Sequence, residues 1–414
     1  MELDSIPQPA LEQMERVQGA DLLIGVLRPG NDGQPASAAA IVLEALAGFP
    51  EHPRAVLVVD EAEAKSGLPE QPSLPVLAYK LNHSEAPPSS PEGVFGAYQT
   101  IFSISQKIGV RACTVIASEL HTVTPLWIDR LARPVLEMDF DLVAPRYARH
   151  KWEGLINRSV LAPLSRALYG RRIQNPLGPD FGVSGKLMKS ILEEQALARM
   201  PGHEYPVASV VSNAVRGNSQ ICEAQVGARL QPPTDWMNLS SLIAQILKPA
   251  FLDMERNAAF WQRVRGSQMV PAFGKLESQP AESGTVDAGR LIDAFQLGVK
   301  NLQDVWGLVV PPSALLEVRK LSRLPAAQFR MADELWASIV YDFALAHRVR
   351  TINREHLLRS FTPLYLGWIA SYALEVETAE SLEVEARLER LARAFEAGKP
   401  YLVSRWRWPD RFNP

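Results

Sequence analysis

Four short runs within residues 20–116 are apolar at nearly every position, and they restrict the fold more than any other feature. They fall at 20–27, 54–59, 74–79 and 112–116, and the last reads Ala112-Cys113-Thr114-Val115-Ile116. A run apolar on both faces suits a strand covered on both sides, as in a parallel sheet. A Gly/Pro/Asn turn follows the first run at 28–33, and helical patterns occupy 35–46 and 98–108. Strand alternating with helix predicts an α/β layer with a mostly parallel sheet. Ligands of such sheets sit at the carboxyl ends of the strands. Those ends are Arg28-Pro29-Gly30, Asp60-Glu61 and Ala117-Ser118-Glu119.

Beyond about residue 235 the strand signals fade and helical periodicity takes over. Met331, Leu335, Trp336, Ile339, Val340 and Phe343 recur at three-and-four spacing, and Leu357, Phe361, Leu364, Trp368 and Tyr372 repeat the pattern. These stripes read as core. Residues 267–285, rich in Gly, Pro and Ser, read as a loop. At 414 residues the chain exceeds one ordinary core. The division expected is an α/β domain over 1–235 and an all-helical domain over 236–414, whose apolar helices suit pairing of two copies of the chain.

Composition narrows the function classes. With 43 Lys+Arg against 46 Asp+Glu, the formal net charge is -3, which argues against a nucleic-acid binder. No stretch of about 18 uncharged apolar residues predicts a membrane span. The first sixteen residues have acids and prolines where a secretory signal needs a basic start, so a cytoplasmic protein is expected. Cys113 and Cys222 lack the spacing of a zinc or redox motif and read as buried free thiols. His347 and His356 lie in helical patterns and read as structural. No phosphate-binding GxxxxGK[ST], no dinucleotide G-x-G-x-x-G and no nucleophile elbow is present.

The segment 139–185 is the most peculiar. Arg146, Arg149, His150 and Lys151 follow an apolar run, Arg171-Arg172 come later, and then Asn175-Pro176-Leu177-Gly178-Pro179-Asp180-Phe181-Gly182. Cations beside a Gly/Pro/Asp turn at a strand end can hold a phosphate or carboxylate, and a solvated basic face is the plainer reading.

These residues resemble bacterial family 2-type glycosyltransferases of GT-A fold, nearest to mannosylglycerate synthase and glucosyl-3-phosphoglycerate synthase. The resemblance covers 142–187 and 112–128, where Thr124-Pro125-Leu126-Trp127-Ile128 follows the fourth strand, and reaches Phe329-Arg330-Met331-Ala332-Asp333-Glu334-Leu335-Trp336. It implies a Rossmann-like sugar-nucleotide domain that moves a hexose from a nucleotide-diphosphate sugar to a small acceptor such as a glycerate-type acid.

The departures from the family's pattern matter as much. A nucleoside diphosphate leaves easily only when its charge is neutralised, usually by a divalent cation. The family's Asp-x-Asp falls on Ala117-Ser118-Glu119, and its later His falls near Gln231. Glu119 and Gln231 are thus the expected ligands of a weakened Mg or Mn site. The Asp near the reacting sugar falls in Pro206-Val207-Ala208, with His203 and Glu204 just upstream as substitutes. The resemblance assigns Asp180, His203 and Glu204 to catalysis. It assigns Arg28, Asp60, Ser118 and Glu119 to the nucleotide sugar, and Arg149, His150 and Lys151 to the acceptor. Two readings stand: a transferase that handles its donor without a tight metal, or a catalytically impaired scaffold that binds a nucleotide, a sugar acid or a partner. A sugar nucleotidyltransferase is disfavoured by the missing glycine-rich basic loop.

Overall fold

A computed structural model describes residues 17, 19–28, 35–60, 76–80, 91–117, 122–197, 209–229, 234–275 and 285–409. Ten strands are present among them: β1 Leu22–Arg28, β2 Arg54–Asp60, β3 Val76–Lys80, β4 Ala112–Ile116, β5 Leu142–Ala148, β6 Arg171–Arg172, β7 Phe181–Ser184, β8 Ile221–Ala228, β9 Gln268–Met269 and β10 Ala272–Phe273. Eight form one sheet in the order β10-β8-β5-β7-β4-β1-β2-β3. All its neighbours pair parallel except β7, which runs antiparallel to both β4 and β5. With its flanking helices this is the α/β layer read from the apolar runs.

One face of the sheet carries a core built from Leu22, Ile24, Val26, Ala112, Val143 and Ala224, covered by the helices Pro35–Ala47 and Pro125–Glu137. The second of these starts on a proline, whose missing N–H costs nothing in a first turn. It buries Trp127, Ile128, Leu131 and Val135. It lies almost in contact with β7, because a Cβ on Gly182 would stand 1.9 Å from the Leu131 carbonyl oxygen. Only glycine admits that approach. Helix Pro91–Ile108 supplies buried Ile101, Phe102 and Ile104, and Phe102 meets Phe181 of β7 edge-on at 6.2 Å.

The chain divides into two compact units, one from Met1–Ala148, Asn175–Leu230 and Val270–Ser278, the other from Arg149–Gln174, Gln231–Met269 and Gln279–Pro414. This differs from the single boundary expected at 235. Residues 149–174 belong with the helices because their partners are there. The Trp336 indole N–H donates to the Ser159 carbonyl at 3.0 Å. Arg166, 6% exposed, donates to Glu389 at 2.6 Å and to Glu396 at 2.7 Å. Conversely β10 belongs with the sheet, pairing with β8, while β9 pairs with β6 in the helical unit. The stretch read as a loop over 267–285 therefore holds two short strands in its described part.

The aromatic stripes are core, as their spacing predicts. Trp336 stacks near Trp368 at 5.9 Å, and Trp368 stacks on Tyr372 at 5.2 Å. Cys113 and Cys222 are buried free thiols, and burial pushes both up to about 12, out of reach of thiolate chemistry. Among the described residues, no helix is long and apolar enough to cross a membrane.

Candidate functional site at the carboxyl edge of the sheet

Parallel pairing sends the carboxyl ends of β1, β2, β4, β5 and β8 to one edge, and β7, running the other way, begins at that edge. Arg28 and Asp60 are the last residues of β1 and β2 and stand in register. The switch point, where strand order reverses beside β1, lies between β1 and β4.

Asp180 immediately precedes β7 and so arrives beside the end of β4. Its Oδ1 accepts from the Ala117 N–H at 2.9 Å, and its Oδ2 accepts from the Tyr147 hydroxyl at 2.6 Å. Asp180 has no exposed surface. A carboxylate removed from water persists when donors surround it, and here a main-chain N–H and a phenol do so. Asp180 therefore ties three segments together: the exit of β4, the end of β5 and the entry of β7.

The turn before it is fixed as firmly. The Asn175 side-chain amide donates to the Pro145 carbonyl at 2.9 Å, and the Tyr98 hydroxyl donates to the Pro179 carbonyl at 3.1 Å. A Cβ on Gly178 would lie 2.4 Å from Pro145 Cγ, so glycine lets the turn press on β5. Burial first, and then the charge of Asp180, push the Tyr98 phenol above its usual range, while Arg229 pulls it down. Arg229 follows the last residue of β8, and its guanidinium carbon lies 5.8 Å from the centre of the Tyr147 ring. The edge thus holds a buried acid, two tyrosines and a cation.

Of the residues expected from sequence, Arg28 and Asp60 end strands at this edge and Asp180 directly precedes one. Ser118, Glu119, His203, Glu204 and Gln231 lie outside the described residues. Arg149, His150 and Lys151 open the helical unit and are tied to it locally. His150 Nδ1 accepts from the Trp152 N–H at 3.1 Å, which leaves the proton on Nε2, 3.4 Å from Glu153 Oε1. Lys151 Nζ donates to the Glu377 carbonyl at 2.6 Å. The Arg149 guanidinium lies against Gly154, where a Cβ would stand 2.1 Å from Nη1.

Sequence reasoning missed Tyr98, Tyr147 and Arg229. The register of β5 against β8 shifts between Arg146 and Tyr147, so simple alternation does not show which way Tyr147 faces. Arg229 stands two positions before Gln231, the position the resemblance marks, and its being a cation beside a strand end is the only signal for it.

The described residues do not by themselves fit a divalent cation. Both oxygens of Asp180 are taken by donors, and Arg229 already places positive charge nearby. Among the described residues, no group of three or more His, Cys, Asp or Glu could hold a metal ion.

No protein-family model matches the chain, and no curated protein matches it by sequence. Solved structures do. Glucosyl-3-phosphoglycerate synthase from Mycobacterium tuberculosis, in complex with phosphoglyceric acid, is 15% identical over 60% of this chain and 83% of that one, with a TM-score of 0.39. The same enzyme in complex with Mn2+, uridine-diphosphate-glucose and phosphoglyceric acid is 14% identical over 60% and 84%, with a TM-score of 0.40. A mycobacterial protein is 16% identical over 58% and 78%, with a TM-score of 0.37. These are distant likenesses, and the chemistry of the present chain rests on its own residues.

Proposed function

We propose that the sheet unit binds a nucleotide-diphosphate sugar and that the protein transfers its hexose to a small acceptor such as a glycerate-type acid. One observation carries this reading: two of the three segments that resemble the transferases, 112–128 and 142–187, meet at a single point where Asp180 holds Ala117 and Tyr147. The strand order, with one antiparallel strand beside the switch point, suits the same reading.

In it, Asp180 is a positioning residue, since a carboxylate with no exposed surface holds strand ends rather than a substrate proton. The leaving diphosphate needs positive charge, and Arg229 and Arg28 at the ends of β8 and β1 supply it in place of a tight metal site. Asp60 takes the nucleoside, with Ser118 and Glu119. Glu119 and Gln231 leave room for a weakly held Mg or Mn ion. His203 and Glu204 are the candidate acids and bases beside the sugar, Arg149 and Lys151 the cations for an acidic acceptor, and His150 an N–H donor to it.

A second reading, a scaffold that binds without turnover, is favoured by the enclosure of Asp180. Titration calorimetry with UDP-glucose and with GDP-mannose, each with and without Mn2+, separates the two once donor hydrolysis is followed alongside. Binding of one donor with its slow hydrolysis is the expected result, and Arg229→Gln weakens that binding at least tenfold. Binding without hydrolysis or transfer selects the scaffold. If neither donor binds, the sugar-nucleotide reading fails in both forms.

A further inference from the structure

Beneath the turn that leads into Asp180 lies a partly open pocket of about 180 Å³. Its walls are Tyr98, Leu142, Ala144, Phe181, Val210 and Val211, and the Asn175–Pro179 turn roofs it. Among the described residues, no Asp, Glu, Lys, Arg or His lines it. Two of its polar groups are bonded to the roof or wall: the Tyr98 hydroxyl to the Pro179 carbonyl and the Asn175 amide to the Pro145 carbonyl. Little is left to hold water, which needs several polar partners to settle in a cavity.

The walls cannot easily collapse. Leu142 and Ala144 stand on β5 and Phe181 on β7, both inside the eight-stranded sheet. Tyr98 and Phe181 brace each other edge-on at 5.5 Å. The roof is pressed on Pro145 through Gly178. Protein interiors pack as densely as organic crystals, and voids larger than a water molecule are few. An enclosed apolar hole on the order of 150 Å³ stays dry and takes up benzene, and this partly open pocket offers an apolar lining of similar size.

We infer that this cavity is a binding site for an uncharged, apolar ring or branched hydrocarbon group of about six to eight heavy atoms. The site does not depend on the sugar-nucleotide reading. Its roof continues into Asp180, so an occupant stiffens the turn that holds Ala117 and Tyr147.

Toluene is the probe, with benzoate as its charged counterpart and the full chain as the sample. Toluene raises the Tm of the wild type, and benzoate at the same concentration does not. Val211→Phe, which fills the cavity from helix Ser209–Arg216, abolishes the toluene shift while leaving the far-ultraviolet circular dichroism unchanged. Should Val211→Phe not fold, Ala144→Leu fills the same space from β5 and gives the same loss. The inference is overturned if toluene leaves the wild-type Tm unmoved, if it raises the Tm of the filled variant equally, or if benzoate matches it. None of these outcomes bears on donor binding, so the two proposals stand or fall separately.

Discussion

The Tyr147 hydroxyl donates a hydrogen bond to a carboxylate that has no exposed surface, and the cost of losing that bond is local and measurable. Tyr147→Phe keeps the ring against Trp127, 5.4 Å away, and removes one donor from Asp180. A buried acceptor deprived of its donor costs about 1–3 kcal/mol. The expected result is an unfolding free energy lowered by that amount, read as a lower urea midpoint at an unchanged m-value. An unchanged midpoint would mean that Asp180 is not held as described. Asp180 was legible beforehand, because an acid in a Gly-Pro-Asp turn between apolar runs stands out in the chain. Tyr147 was not, since only the irregular pairing of β5 with β8 fixes its direction. Arg229 was legible as a charge but not as a member of the site, because its neighbour Tyr147 is eighty-odd positions away in sequence.

Helix Asp333–Val349 shows how one element can carry opposing pH demands. His347 is fully buried, and neither ring nitrogen has a hydrogen-bond partner. Burial, with Arg354, Lys248 and Arg350 adding repulsion, lowers it to about 3. Since its folded value lies below the ordinary 6.5, its contribution to stability is present above pH 6.5 and is lost as pH falls toward 3. Asp342, one and a half turns earlier, goes the other way. Burial raises it to about 7 against the help of the Tyr401 hydroxyl, which donates to it at 2.7 Å, and of Arg405. Its contribution is present below pH 3.8 and is lost as pH rises toward 7. His347→Leu is therefore expected to gain stability over the wild type on the acid side, and Asp342→Asn on the neutral and alkaline side, in denaturant midpoints taken from pH 4 to 9. Parallel curves for wild type and variants would contradict these assignments. The three-and-four spacing of Trp336, Ile339, Val340 and Phe343 announced the buried face of this helix. Burial of the two ionisable groups depended on neighbours from other helices, which periodicity does not reveal.

For the molecule as a whole, the α/β half and the helical half could be read from the switch in periodicity near residue 235, but their true membership could not. The chain passes between the units five times, at 148/149, 174/175, 230/231, 269/270 and 278/279. Local pattern cannot show that Arg166 belongs with Glu389 and Glu396, or that Ala272 and Phe273 pair alongside β8. A chain cut down to residues 236–414 lacks Ser159, Arg166 and the rest of 149–174, so the Trp336 indole loses its acceptor, Glu396 loses Arg166, and Glu389 keeps only Arg393. It is expected to show no cooperative thermal transition, whereas the full chain does, and a cooperative melt of the fragment would restore the simple boundary. The same threading governs how the protein is made. Val160, Leu164, Leu168 and Tyr169 are buried in the finished molecule. They leave the ribosome long before their partners, for Glu396 comes 230 residues after Arg166. At common elongation speeds of roughly 5–20 residues per second, that delay is about 10–50 s. Through that interval a greasy, half-assembled helix waits on the nascent chain, and the yield in a cell depends on what shelters it.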